Sequence, residues 1–251
     1  MKKPLNTLTI VVILTTLLLL INSCGNDDEP EVKQGDVEFR FNYTVNGQPL
    51  DLGQIYNVNG TAVSFKFANF YIGNIVFNPQ QGAEVSLNDK FLLVTPDLTT
   101  SSVGKIDEGS YSVRFSLGVN DAENDQSETD FLSRATDDPL AMKNPSMHWG
   151  WNGGYKYIRV DGLSDTDGDG TPETPLAFHL GNFDMFEFIS NFDYNLNSDI
   201  KEGNNIIEFE FDLAKLFIEI DISTQTDTHV FNDVDLAKIY QGNLSKAIDL
   251  L

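Results

Sequence analysis

The sequence predicts an all-β protein, an antiparallel β-sandwich that ends in one short helix. Two patterns lead to this prediction. Short runs along most of the chain alternate apolar with polar residues, at the period of two that a half-buried strand requires. Turn-forming Gly, Asn and Asp separate these runs, and apolar residues at helical spacing appear near the C-terminus.

The first 24 residues are typical of an export signal and not of a folded element. Lys2 and Lys3 precede an apolar run from Leu8 to Ile21, which is too short for a spanning helix. The run ends in Leu-Ile-Asn-Ser-Cys, which resembles a bacterial lipobox and predicts cleavage before Cys24 with lipid on its sulfur. In the alternative, the protein is soluble and secreted, and Cys24 is incidental.

An acidic segment, residues 25–36, follows the predicted lipidation site. Its composition favours a flexible tether that holds the folded domain away from a membrane surface. It also resembles the tether that directs many Bacteroidetes lipoproteins to the outer face of the outer membrane. We therefore expect an outer-membrane lipoprotein exposed at the cell surface.

The charge of the mature chain excludes one class of partner. Without Lys2 and Lys3 there are 16 − 2 = 14 basic residues against 38 acidic ones, a net charge of about −24. Nucleic-acid binding requires the opposite sign. Cys24 is the only cysteine, so no intrachain disulfide can form, and residues 37–251 are long enough to bury a core as one domain without it.

The strands are predicted from alternation in chain order. In the first strand Val37, Phe39, Phe41 and Tyr43 point to one face, and Asn46-Gly47 then favours a type I′ hairpin turn. Further strand patterns lie at residues 63–67, 70–77, 91–94 and 111–117. A polar loop, residues 120–138, is expected at one end of the sandwich.

The C-terminal quarter carries the clearest strand and the helix. Ile207, Phe209, Phe211 and Leu213 alternate with polar residues, and a short helical turn is expected near residues 214–217. Asp233 or Asp235 could cap the terminal helix. Its apolar positions, at spacings of three and four, are Leu236, Tyr240, Leu244, Ala247, Ile248 and Leu251.

A loop of alternating aspartates predicts a calcium site. Its sequence matches the first half of an EF-hand loop, in which alternate carboxylates converge on one hard cation. Leu176 stands where an EF-hand places its last glutamate, so a structural calcium loop is expected, with a metal-free acidic turn as the alternative. The candidate ligands are Asp165, Asp167, Asp169, Thr171 and Glu173.

Residues 147–157 and 178–181 carry a family resemblance. The motif Trp-x-Trp-x-x-Gly-Tyr begins at Trp149, directly after His148, and Phe-His-Leu-Gly around His179 follows downstream. Together with Val-Asn-Gly-Gln-Pro-Leu after the first strand, these motifs resemble the MbnP family. Its members are exported β-sandwich proteins related to the copper-binding MopE and CorA proteins, and the resemblance extends over about residues 37–251.

The resemblance implies a copper site and a role in copper acquisition or handling. By position, His148 and His179 would supply imidazoles, and Trp149 or Trp151 would be oxidised to kynurenine by a dihaem peroxidase-like partner. Imidazole suits copper in either oxidation state. If residues 147–150 form a strand, His148 and Trp149 face opposite sides, so only one of them can belong to a given site.

Other readings of these residues remain open. The tryptophans could be core residues, and His229 is predicted to be a surface histidine, with a third-ligand role as the alternative. No nucleophile motif or metalloprotease helix is present, so a non-enzymatic protein is expected. A carbohydrate-binding or structural lipoprotein without copper is the main alternative function, in which Trp149, Trp151 and Tyr155 would form an exposed stacking platform.

Overall fold

The computed structural model describes residues 32–150, 153–182 and 189–251. The predicted signal segment, Cys24, most of the predicted tether and Trp151 therefore lie outside the described residues. Lys33–Leu251 forms one compact unit. The first strand begins at Gln34, so the last three residues of the predicted tether are part of a sheet.

Strands dominate the described residues, as predicted for an all-β protein. In chain order they are β1 (Gln34–Val45), β2 (Gln48–Pro49), β3 (Ile55–Val58), β4 (Thr61–Pro79), β5 (Val85–Leu87), β6 (Leu92–Val94), β7 (Thr100–Asp107), β8 (Tyr111–Leu117), β9 (His148–Gly150), β10 (Gly154–Tyr155), β11 (Ile158–Ser164), β12 (Thr174–Leu180), β13 (Ser190–Asn195), β14 (Gly203–Asp212), β15 (Asp227–Thr228) and β16 (Ile248–Leu250). The helices are α1 (Asp121–Asn124), α2 (Glu128–Ser133) and α3 (Val234–Ala247), with a 3-10 helix at Leu213–Phe217.

The first sheet has the order β16-β14-β1-β2, and β7 pairs with β1. Its central pair, β1 and β14, is parallel over ten positions, from Gly35↔Gly203 to Thr44↔Asp212. The predicted sandwich is antiparallel at most of its described pairs, whereas β1–β14 and the short β12–β15 pair are parallel. Alternation of apolar residues is the same in both strand directions, so it carries no information on direction, and the intervening second sheet supplies the long crossover that a parallel pair needs.

The second sheet has the order β13-β8-β4-β11-β12-β15 among the described strands, with β3, β5 and β6 also paired to β4. The long strand β4 runs through its centre and contacts strands on both sides. Its register shifts between Gly73 and Val76, where Asn74 has a φ of 50°, so the strand bends at a bulge.

The core lies between the two sheets and is rich in phenylalanine. Phe41 and Phe209 stack with ring centroids 4.9 Å apart, and Phe115 meets Phe209 edge to face at 5.4 Å. All three side chains are fully buried. These rings come from β1, β8 and β14, so aromatic contacts join the two sheets of the predicted sandwich.

Most local predictions at the turns and the C-terminus are confirmed. Asn46 and Gly47 both have positive φ, 51° and 72°, in the β1–β2 hairpin. The carboxylate of Asp233 accepts the Leu236 amide hydrogen at 2.9 Å and caps α3. The helix ends at Ala247, earlier than predicted, because residues 248–250 pair with β14.

The predicted polar loop at residues 120–138 contains the two short helices α1 and α2. Asn120 and Ser127 cap them through their side-chain oxygens. In the part of the chain that the structure describes, no helix is long and apolar enough to cross a membrane.

Candidate metal centre

The outer face of the β11–β12 pair forms the floor of the candidate site. Val160 and Phe178 are fully buried and point toward the core, so their neighbours along each strand point the other way. Arg159 stands directly across from His179 in the antiparallel register, and Asp161 lies two residues further along β11 on the same face. The floor of the site therefore carries an imidazole, a guanidinium and a carboxylate.

A short parallel pair brings a second histidine to this floor. Strand β15 pairs with β12 through Ala177↔Asp227 and Phe178↔Thr228. One residue further along both strands are His179 and His229, whose ring centroids are 4.6 Å apart at an interplanar angle of 75°. His229 was predicted to be a surface histidine with a third-ligand role as the alternative, and this pairing places its ring, which is partly exposed, in contact with that of His179.

Trp149 covers the histidine pair from strand β9. Its indole centroid lies 5.7 Å from that of His179 and 5.9 Å from that of His229. The indole also packs over Gly181, where a Cβ atom would come within 2.8 Å of the indole Nε1. A glycine at 181 is therefore required for the tryptophan to approach.

A buried lysine also contacts the indole. The Lys156 ammonium lies 4.8 Å from the Trp149 ring centroid, and it donates to the carbonyls of Ser146 and His148. Burial and the nearby Arg159 charge lower the pKa of Lys156 to about 8.

His179 has one satisfied ring nitrogen and one unsatisfied one. Its Nε2 lies 2.5 Å from the Asp161 Oδ1, whereas its Nδ1 is buried and has no hydrogen-bond partner among the described residues. Burial lowers the pKa of His179 although Asp161 opposes this shift. A neutral ring with a bare buried nitrogen is the form in which imidazole binds a metal ion.

Asp161 is held between two partners. Arg159 donates from Nε to its Oδ2 at 2.5 Å, and His179 contacts its other oxygen. Burial alone would raise the pKa of this carboxyl, but the hydrogen bond from His179 and the guanidinium of Arg159 keep it below its usual value. Asp161 is therefore ionised, and each of its oxygens contacts a side chain.

The aspartate loop forms a separate acidic cluster between β11 and β12. One carboxylate oxygen from each of Asp165, Asp167, Asp169 and Glu173 lies within 4.8 Å of the others. Backbone amides of Gly168 and Gly170 donate to the two oxygens of Asp165 at 2.7 and 2.8 Å. This cluster has the ligand type and spacing that a metal ion could use.

The pKa values of two carboxyl groups in this cluster are shifted in opposite directions. Burial and then the charges of Asp167, Asp169 and Asp165 raise the pKa of Glu173. Burial opposes ionisation of Asp165, but the amides of Gly170 and Gly168 hold its pKa below the usual value. Thr171, the remaining predicted ligand, donates its amide hydrogen to Asp169 at 2.7 Å.

A family comparison agrees with this architecture. The model of the MbnP family matches residues 34–233. The chain belongs to the MbnP family. The matched range contains both strands of the β1–β14 pair, the histidine pair, Trp149 and the aspartate loop, and it ends at the residue that caps α3.

A solved structure of the MbnP family is similar in fold. MbnP from Methylosinus trichosporium has 18% sequence identity to this chain and a TM-score of 0.57, over 79% of this chain and 83% of that chain. At this identity the similarity concerns the fold alone. No curated protein matches the chain.

This MbnP family member does not bring His148 to the histidine pair. The His148 ring stacks on Phe131 at 4.4 Å and meets Tyr155 edge to face at 4.9 Å, and its Nδ1 accepts the Gly150 amide hydrogen at 3.1 Å. Burial lowers the pKa of His148. Since His148 and Trp149 point to opposite sides of β9, the predicted pair of His148 with His179 is corrected to His229 with His179.

One of the three residues expected to form an exposed stacking platform in a carbohydrate-binding protein is not exposed. Tyr155 is fully buried, and its hydroxyl donates to the Leu140 carbonyl at 2.8 Å. Trp149 is only partly exposed and packs against the histidines, while Trp151 lies outside the described residues. The geometry of Trp149 therefore favours a role in the histidine cluster.

Sequence reasoning missed Asp161 and considered His229 as a ligand only in the alternative. The position of His229 beside His179 follows from the pairing of β12 with β15. A strand of two residues such as β15 leaves almost no pattern in the sequence. Asp161 could have been found, because Ile158 and Val160 point inward and place residues 159 and 161 on the outer face with His179.

Proposed function

We propose that this protein binds one copper ion between His179 and His229, with Trp149 beside the ion, and that it acts in copper acquisition or handling outside the cytoplasm. The observation that supports this proposal is the buried, partnerless Nδ1 of His179 next to a second imidazole. A metal ion lies about 2 Å from a ligating imidazole nitrogen. Two rings with centroids 4.6 Å apart can therefore share one ion.

The donor set favours copper over harder cations. Both candidate ligands are imidazoles, which suit copper in either oxidation state, whereas calcium and magnesium require oxygen ligands. Of the carboxylates near the histidine pair, that of Asp161 already contacts Arg159 and His179, and that of Asp227 accepts a hydrogen bond from the Asn232 amide at 2.6 Å. The role is binding and not catalysis, since the site offers nitrogen donors and no activated nucleophile.

Trp149 is the tryptophan that we propose as the substrate of a dihaem peroxidase-like partner. It is partly exposed, and its indole lies within 6 Å of both imidazoles, measured between ring centroids. In this reaction peroxide supplies the oxygen, the indole ring opens and one carbon leaves as formate. The product, kynurenine, would carry a new carbonyl oxygen and an aromatic amine beside the ion.

The cellular location is part of the same proposal. Lipid on Cys24 would anchor the chain in the outer membrane, and the acidic segment after it would hold the sandwich above the surface. The protein would then bind copper outside the cytoplasm. Because its proposed ligands include no cysteine, oxidation of a thiol could not inactivate the site.

We propose calcium as the second ion, with a structural role. Four carboxylates with oxygens within 4.8 Å of one another repel each other unless a cation is present. Asp165, Asp167, Asp169 and Glu173 would bind it, with the Thr171 carbonyl as a further ligand. Calcium here would stiffen the β11–β12 connection, which leads into the strand that carries His179.

Metal analysis of the lipoprotein from its native host tests the copper proposal. We expect close to one equivalent of copper, a tryptic peptide in which Trp149 has the mass of kynurenine, and loss of copper in His179→Ala and His229→Ala. His148→Ala is the matched control and should retain copper. Calcium alone, with unmodified Trp149, would contradict the proposal and leave a structural lipoprotein that has the MbnP fold without a copper site.

A further inference from the structure

The Arg159–Asp161 pair connects the two halves of the candidate copper site. Asp161 contacts the Nε2 of His179 on one side and the guanidinium of Arg159 on the other. Arg159 also donates from its terminal nitrogen to the Ser146 carbonyl at 2.9 Å, in the segment that leads into β9. One ion pair thus contacts both the histidine and the segment that carries Trp149.

We propose that Arg159 and Asp161 are positioning residues, which fix His179 as the Nε2–H tautomer and so make its Nδ1 the atom that binds the metal. This inference rests on the proposed copper function and adds the ligating atom and the residues that select it.

The first step of the argument is the tautomer. The Asp161 carboxylate is paired with the Arg159 guanidinium at 2.5 Å and so acts as a hydrogen-bond acceptor, which means that the His179 nitrogen 2.5 Å from its other oxygen carries the hydrogen. A neutral imidazole has one N–H, which leaves a lone pair on Nδ1. A proton on Nδ1 would be a buried donor without an acceptor among the described residues, which disfavours that tautomer.

The second step is the orientation of the ring. A metal-binding histidine is generally held by a carboxylate or carbonyl at its other nitrogen, which fixes the ring and increases its basicity. Asp161 is suited to this role because the Arg159 guanidinium binds its second oxygen at 2.5 Å. The carboxylate is therefore held toward His179 and is not free to rotate toward the ion.

The third step is the coupling to Trp149. Arg159 and Lys156 both donate to the Ser146 carbonyl, and Lys156 also donates to the His148 carbonyl. These bonds hold residues 146–148 against the outer face of β11. Loss of Arg159 would therefore disturb the orientation of His179 through Asp161 and the position of Trp149 through Ser146.

Histidine-ring NMR of the metal-free wild-type protein tests the tautomer without any substitution. At neutral pH we expect the His179 nitrogens to show a protonated Nε2 and a bare Nδ1. An Nδ1–H tautomer, or a doubly protonated ring, would overturn the inference.

Copper titration of Asp161→Asn and Arg159→Met tests the positioning role. We expect binding to be about 10–100-fold weaker in each, the range typical for loss of an outer partner of a metal ligand. In Asp161→Asn the His179 NMR signals should also shift toward a mixture of tautomers. The matched control, Asp193→Asn, changes an exposed aspartate in β13 and should leave both readouts unchanged.

The outcomes separate this inference from the proposed function. Wild-type copper binding with unchanged affinity in Asp161→Asn would overturn the positioning role and leave the copper proposal intact. Absence of copper binding by the wild-type protein would overturn the copper proposal, and the ligand role of Nδ1 with it, whatever the tautomer.

Discussion

His179 and His229 meet with ring centroids 4.6 Å apart because the short strand β15 lies parallel to β12. The contact is specified by backbone pairing at Ala177 and Phe178, which lie two residues and one residue before the histidine. Substitutions that remove an imidazole should therefore weaken metal binding. Substitutions that disturb this backbone pairing should weaken it in the same way.

Removal of either imidazole is expected to abolish tight copper binding. His179→Ala and His229→Ala should weaken it by more than the roughly 10–100-fold that loss of an outer partner costs. Competition with a chromophoric copper chelator measures the affinity. His148→Ala should bind copper normally but lose about 1 kcal/mol of stability, because its ring stacks on Phe131. Equal copper losses in all three variants would show that the histidine pair is not the site.

Glu173→Gln should have opposite effects with and without calcium. In chelator-treated protein it removes a carboxylate whose pKa is raised by burial and by the three aspartates, so the Tm should be unchanged or higher. With calcium at about 10⁻³ M, the range typical of extracellular sites, the calcium-dependent rise in Tm should be smaller than in the wild-type protein.

Differential scanning calorimetry measures both effects of Glu173→Gln. Glu38→Gln on β1 is the control and should keep the wild-type calcium response. A Tm that does not respond to calcium in the wild-type protein would contradict a structural calcium loop.

Lys156 should make stability depend on pH in the alkaline range. Its folded-state pKa is about 8 and its ordinary value is 10.5, so between these values the unfolded chain binds the extra proton. The free energy of unfolding contributed by Lys156 should therefore rise with pH from about 8 to about 10.5 and stay flat below pH 8.

Urea unfolding of metal-free Lys156→Met, compared with the wild-type protein at each pH, isolates this contribution. The difference between wild type and variant should grow in favour of the wild type as pH rises. Lys66→Met, at an exposed position on β4, should give a difference that does not change with pH. A constant difference for Lys156 would mean that its ammonium is fully solvated.

Phe209→Ala should be strongly destabilising. The ring is fully buried and contacts Phe39, Phe41 and Phe115, so its loss leaves a cavity between the sheets. We expect a loss of about 3–5 kcal/mol in the free energy of unfolding, measured by denaturant titration. Phe231→Ala, at a ring that is 60% exposed, should change stability little, and a comparable loss there would contradict the assignment of the core.

The sequence was sufficient for the long alternating strands and for several local turns. Alternation along β1, β8 and β14 predicted the inward residues, because a strand presents every second side chain to the core. Asn46-Gly47 predicted a hairpin through its tolerance of positive φ, and Asp233 predicted the start of α3 through its side-chain acceptor. These features depend on interactions within a few residues.

The sequence by itself therefore determined the all-β class, the long alternating strands, the aspartate cluster and the candidate status of His179 and Trp149. Tertiary structure alone decided that β1 and β14 are parallel, that His229 and not His148 joins His179, and that Asp161 holds the other ring nitrogen. The reason is physical. Periodicity and turn chemistry are local, whereas pairing between distant strands depends on the free energy of the whole packed sheet, and a two-residue strand such as β15 exists only because its neighbour is already in place.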